Sequence, residues 1–126
     1  MPYQNLLLID DDEDDQEIFI TAVKTISSSV VCTAFADATK ALEKLSRKEI
    51  TPDVIFLDLN MPIMNGQQFL VEIKKRKDLQ NIPVIIFSTT SHPPTIQLTK
   101  ELGAHDFITK PGLYNELVNM LKPLLT

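Results

Sequence analysis

The stretch VIFLDLNMPIMNG, residues 54–66, is an apolar run that ends on a carboxylate, Asp58, and passes at once into Asn60, Pro62 and Gly66. A charge at the end of an oily strand is costly unless something compensates it. The run itself, DVIFLDL over 53–59, lacks the alternation of a half-exposed strand and reads as one covered on both faces. Four further runs also read as strands: NLLLI (5–9), VVCTAF (30–35), IPVIIFS (82–88) and HDFIT (105–109). Stretches of helical spacing alternate with all five, which is the rhythm of successive βα units.

Ile18, Ala22, Val23 and Ile26 mark the apolar face of the first helix, Ala38, Ala41, Leu42 and Leu45 that of the second, and Phe69, Leu70 and Ile73 that of the third. The last carries Leu113, Leu117, Met120, Leu121 and Leu124, and Pro123 is expected to end or kink it. The fourth, PPTIQLTKELG over 93–103, has the weakest stripe, with Leu98 and Leu102 its clearest members. It is expected to be loosely held, with Pro93 and Pro94 at its entry. The first, third and fourth strands are apolar throughout, whereas HDFIT is short and mixed and VVCTAF contains Thr33 and Ala34, which puts the latter two at the edges. With right-handed crossovers this predicts an α/β fold: a doubly wound five-stranded parallel sheet, order 2-1-3-4-5, flanked by five helices, with its ligand crevice at the carboxyl ends of strands one and three.

A chain of 126 residues, 44% hydrophobic, has the length of one domain, 1–126, with one sizeable core and no room for an output domain. A net charge of −5 and a pI near 4.9 argue against direct DNA binding, which needs a concentrated basic surface. No apolar run is long enough to span a membrane, and MPYQNLLLIDDDEDD has neither a basic n-region nor a signal h-region, so a soluble cytoplasmic protein is expected. Cys32 stands alone and reads as a small buried residue; with only His92 and His105 beside it, a zinc site is implausible. The run KKRK, 74–77, reads as the solvated end of a helix.

The crevice answers the opening question. LLLIDDDEDD sets Asp10 and Asp11 at the end of strand one, beside Asp58 at the end of strand three. Three converging carboxylates repel one another unless a hard cation lies between them, and Mg²⁺ is the natural candidate. Asp12, Glu13, Asp14 and Asp15 read instead as acids that cap and solvate the first helix. Strand four ends IIFSTTS, which brings the Ser88 hydroxyl to the same edge, and strand five ends FITKP, which brings the Lys110 ammonium. Metal, hydroxyl and ammonium around Asp58 make the electrostatic clamp that phosphoryl transfer requires.

In this order and spacing, IDD, DLNMPIMNG, IIFSTT and FITKP closely resemble the response-regulator receiver domain, the phosphoacceptor module of two-component signalling, over essentially the whole chain. The resemblance implies that Asp58 is phosphorylated by a phosphohistidine of a sensor histidine kinase or histidine phosphotransfer protein. It implies Asp11 as direct Mg²⁺ ligand, Asp10 as an acid acting through metal-bound water, and Asn60 as the ligand through its backbone carbonyl. Ser88 resembles the switch hydroxyl, Lys110 its companion at the phosphoryl group, and Phe107 the aromatic switch. Pro62 stiffens the loop after the acceptor and Gly66 allows a close approach before the third helix. Thr89 departs from the small residue common at that place and is expected to restrict access to the acylphosphate. Phe107 lacks the hydroxyl of the frequent tyrosine, and His92 is expected to be a loop residue without function.

The implied protein is a stand-alone switch of a bacterial cytoplasm, not an enzyme, though it assists its own phosphorylation and dephosphorylation. Its output is a face made by the fourth helix, strand five and the last helix, which meets a downstream protein target. A phosphorelay intermediate and a degenerate receiver are the alternatives within the family. Tyr114, Val118 and Leu125 lie off the main stripe of the last helix and offer a partner or weak homodimer surface, or a broad buried face. Two readings from other classes remain: a flavodoxin-like binder, opposed by the acidic loop after strand one, and a Mg²⁺-dependent phosphohydrolase, opposed by the lack of an acid–base partner at Asn60.

Overall fold

Strands and helices alternate without exception in the computed structural model, which describes residues 2–126. They are β1 (Asn5–Ile9), α1 (Glu13–Ile26), β2 (Val31–Phe35), α2 (Ala38–Ser46), β3 (Val54–Leu57), α3 (Gly66–Lys74), β4 (Val84–Ser88), α4 (Pro93–Glu101), β5 (Asp106–Thr109) and α5 (Tyr114–Leu125). All four strand pairings are parallel and the order is β2-β1-β3-β4-β5, as the apolar patterning predicts. Register aligns the strand ends: Ile9 lies opposite both Phe35 and Leu57, and Ser88 opposite Thr109. Asp10, Asp58 and Lys110, the residues next in chain after Ile9, Leu57 and Thr109, therefore leave the sheet at one edge.

Alternation along each strand divides the core in two. Leu6, Leu8, Val54, Phe56, Ile85 and Phe87 pack with α1 and α5, while Leu7, Ile9, Ile55, Leu57, Val84 and Ile86 pack with α2 and α3. On the first side Phe19 inserts between Phe56 and Phe87, with ring centroids 5.0 and 5.5 Å away in tilted and edge-on arrangements. Side-chain caps start three of the helices: Asp12 for α1, Asp37 for α2, and the Asn65–Gln68 capping box for α3.

The helix faces need four corrections. Ile18 is 47% exposed and Phe19 takes the core position beside Ala22 and Val23, because the broad face of α1 is centred one residue later than the isoleucine spacing implies. Leu113 is the N-cap of α5 and is exposed, whereas Leu125, for which a partner surface and a broad buried face were both open, takes the buried one and lies in the core. Pro123 does not end α5, which continues to Leu125. Its missing N–H deprives only the Asn119 carbonyl, and both residues are exposed, so water can serve that oxygen. Lys74 is not fully solvated: it is half-buried and donates to the Gln80 carbonyl at 2.9 Å.

The weak stripe of α4 is real. Thr99 is its one buried residue, Leu98 is exposed, and Pro93 and Pro94 occupy the first turn. A helix with so little buried apolar surface sits at the low end of local stability. Cys32 is half-buried, and burial pushes its thiol up to about 12, which keeps it inert.

Candidate functional site

Backbone pairing sets the acidic residues before any side chain acts. The Asp10 N–H donates to the Phe35 carbonyl at 3.0 Å and the Asp58 N–H to the Ile9 carbonyl at 2.9 Å, so both acids are held as continuations of the sheet. The start of α1 is tied to the same edge, since Gln16 Nε2 donates to the Asp10 carbonyl at 2.6 Å. Asp10 is 1% exposed and Asp58 7%, whereas Asp11 is open to solvent. One carboxylate oxygen from each of the three lies within 4.8 Å of the others.

Lys110 offsets part of this charge. Its N–H donates to the Ser88 carbonyl at 2.7 Å, and its ammonium donates to Asp10 Oδ2 at 2.8 Å and Asp15 Oδ2 at 2.9 Å, with Asp58 Oδ2 at 3.8 Å. Phe87 lies beneath it, the ring centroid 5.6 Å from Nζ. Burial pulls the lysine down, but the bonds to Asp10 and Asp15 and the charges of Asp10 and Asp58 more than reverse this, and it stays firmly protonated. Burial pushes the Asp58 carboxyl up to about 6; Lys110 opposes the rise, Asp10 adds to it, and the Asn60 and Leu59 N–H groups moderate it. Asp58 is thus ionised at pH 7 but held in an environment that favours a counter-charge.

Ser88 is fully buried at the end of β4, with its hydroxyl 3.4 Å from the Thr90 N–H. Thr89 follows it and is exposed. Phe107 is half-buried on β5, packed against the core cluster that holds the inner faces of α2 and α3. Asn60 stands exposed two residues after Asp58 and lines a polar cleft with Leu59, Asn65, Gln67, Thr90 and Thr95. The loop beyond it turns tightly: Met64 N–H donates to the Pro62 carbonyl at 2.8 Å, and Ile63 adopts φ +67°, costly for a β-branched residue. His92 caps α4 without a side-chain bond to its backbone and meets Thr95 Oγ1 at 3.1 Å.

Sequence reasoning missed Asp15. Asp12 does cap α1, accepting from the Asp14 and Asp15 N–H groups, but Asp15 turns its carboxylate to Lys110. No local signal marks it, because its partner lies 95 positions away and only the topology joins them.

A buried acceptor-like carboxylate, two more acids within reach and a lysine from the far strand form one constellation at the crevice of this sheet. The family model for the response regulator receiver domain matches residues 6–122. The chain belongs to the response regulator receiver family. The receiver is 34% identical over 114 residues to a protein-glutamate methylesterase/protein-glutamine glutaminase of Syntrophomonas wolfei, covering 89% of this chain but 31% of that protein. The chain thus spans less than a third of that relative's length. Among solved structures, the phosphorylated cyanobacterial phytochrome response regulator RcpA superposes with a TM-score of 0.87 at 26% identity, covering 96% of this receiver and 90% of that chain. The Mn²⁺-bound form of response regulator Rcp1, a protein of Synechocystis, superposes with a TM-score of 0.84 at 26% identity over 95% of this chain and 90% of that one. Receiver domains are modules of two-component signalling and generally interact with histidine kinases or phosphotransfer proteins. Among the described residues, no helix is long and apolar enough to cross a membrane.

Proposed function

We propose that this receiver accepts a phosphoryl group onto Asp58 in a Mg²⁺-dependent reaction and, once loaded, switches a protein-binding face. The observation that carries this reading is the buried Asp58 carboxylate with Asp10 and Asp11 oxygens within 4.8 Å and the Lys110 ammonium 3.8 Å away. Three acids at one point, only partly neutralised by one lysine, fit a small oxygen-seeking cation. Asp10, Asp11, Asp58 and the Asn60 carbonyl would hold it, and Mn²⁺ in the Rcp1 neighbour supports a divalent ion in this family. When bound, Mg²⁺ supplies neutralisation of the phosphoryl oxygens.

The chain's own part is positional and electrostatic. An Asp58 carboxylate oxygen attacks phosphorus; the P–N bond of a protonated phosphohistidine breaks, its electron pair returns to the imidazole, and neutral histidine departs. Lys110 and Ser88 then meet the new dianionic group as ammonium and hydroxyl donors. Ser88 drawn towards the phosphoryl group loosens the β4–α4 loop, Phe107 repacks, and α4 shifts on its thin apolar stripe. The donor is a sensor histidine kinase or histidine phosphotransfer protein, the receiver works in the cytoplasm as monomer or weak homodimer, and the output is a downstream protein rather than DNA or an enzymatic product. With acetyl phosphate and Mg²⁺, hydrogen exchange is expected to change in α4, β5 and α5 and to stay constant in β1 and β3. No change in those elements in protein carrying the phosphoryl group would overturn the switch.

Thr89 bears on lifetime. Its branched, exposed side chain at the end of β4 hinders water approaching the acylphosphate. Thr89→Ala is expected to shorten the half-life of phosphorylated protein by a few-fold, followed by loss of the added mass after removal of donor.

A further inference from the structure

The Lys110 ammonium meets three carboxylates and treats them unequally. Asp10 and Asp15 accept hydrogen bonds at 2.8 and 2.9 Å, while Asp58 stands at 3.8 Å, outside hydrogen-bond reach. An ammonium has three protons, so two are committed to groups other than Asp58. Asp15 is itself well anchored. Its N–H is held by Asp12 Oδ1 at 3.2 Å, and the first turn of α1 is fastened to β1 through Gln16. Asp10 is buried beside Lys110, whereas the Asp15 side chain is 38% exposed and lies on a different element from both Asp10 and Asp58.

We propose that Asp15 is a positioning residue that holds the Lys110 ammonium off Asp58, so that a phosphoryl group on Asp58 competes with the Asp15 contact for the lysine. The inference rests on the phosphoacceptor reading above and adds a restraint to it. Loading raises the charge on the Asp58 side chain from one negative charge to nearly two, which strengthens its pull on Lys110. The Asp15 bond opposes that movement and biases the domain towards the unloaded arrangement. Because Asp15 is partly solvated, the bias is that of a screened pair, roughly two- to fivefold in affinity.

A purely structural role is distinguishable. An acid in the first turn of a helix stabilises it through the helix dipole, and on that account Asp15→Asn lowers stability and leaves acceptor affinity alone. Asp14 provides the control, since it lies in the same turn, is exposed, and Asp14→Asn makes the same change in charge.

The test is NMR titration of the full chain with beryllofluoride, a phosphoryl analogue, in saturating Mg²⁺. Asp15→Asn is expected to bind roughly two- to fivefold more tightly than wild type, Asp15→Glu to return to the wild-type value, and Asp14→Asn to match wild type. The Lys110 Nζ resonance of the free protein is expected to move in Asp15→Asn and not in Asp14→Asn. Equal or weaker binding by Asp15→Asn, or the same gain in Asp14→Asn, overturns the restraint while leaving the phosphoacceptor reading intact. Failure of wild type to take beryllofluoride overturns both.

Discussion

In metal-free solution above pH 7, Asp58→Asn is expected to be more stable than the wild-type protein by about 1–3 kcal/mol, at 1.36 kcal/mol for each unit by which folding displaces the carboxyl. The sign follows from burial. Folding pushes the Asp58 carboxyl up from 3.8 to about 6, so the native state holds its proton more tightly than the unfolded chain. Between those values unfolding releases a proton, and stability falls as pH rises. Well below pH 3.8 both states are protonated and the acid resembles an amide, so the variant's advantage falls towards zero as pH drops through that value. Above about pH 7 both states are ionised, the penalty is complete, and the advantage is flat. Urea unfolding in EDTA at pH 4, 5, 6 and 7.5 reads this directly. A variant less stable than wild type at pH 7.5 would contradict it. Added Mg²⁺ is expected to reverse the order by stabilising wild type more than Asp58→Asn, because a cation that binds only the folded acidic cluster shifts the equilibrium by mass action.

Gly66→Ala is expected to cost about 2–4 kcal/mol, the upper range for overpacking, and to lower Tm by roughly 10 °C. A Cβ on Gly66 would lie 2.3 Å from the Asp58 carbonyl oxygen and 2.8 Å from Leu59 Cα. Both are backbone atoms, so no rotamer change relieves the overlap. The Gly66 N–H also donates to the Leu59 carbonyl at 3.1 Å, which locks the first residue of α3 against the segment that carries Asp58. Accommodation requires moving α3 or the loop that carries Asn60, and either displaces Asp58. Gly112→Ala, where an added Cβ meets nothing within 4 Å, is expected to be near neutral. Gly103→Ala falls between, owing to φ +104° and the Lys74 stem 3.2 Å away. Thermal denaturation of the three variants checks the ranking; a Gly66→Ala protein with wild-type Tm would contradict the packing.

Much of this is legible in the chain because it depends on short-range pattern. Unbroken apolar runs identify β1, β3 and β4 as interior strands, and the order of the sheet follows from which runs are mixed. Residues at the ends of parallel strands must share an edge, so the convergence of Asp10 and Asp58 needs only the topology. What is not legible depends on distance or on helix phase. Ile18 and Phe19 differ by one position on a helix, 100° of rotation, and hydrophobicity alone does not choose between them. Leu125 joins the core because α5 runs through Pro123, which local propensity argues against. Asp15 looks like any first-turn acid until Lys110 arrives from β5. The close approach read at Gly66 is real, but its partner, the Asp58 carbonyl, is named only by the fold.

Everything proposed for the switch depends on Asp58 accepting a phosphoryl group in a Mg²⁺-dependent reaction. Intact mass after incubation with acetyl phosphate, with and without Mg²⁺ and beside Asp58→Asn, tests it most directly. One added phosphoryl group is expected on the wild-type chain in Mg²⁺, and none in EDTA or in Asp58→Asn. A phosphoryl group that appears without Mg²⁺, or that persists in Asp58→Asn, would contradict it.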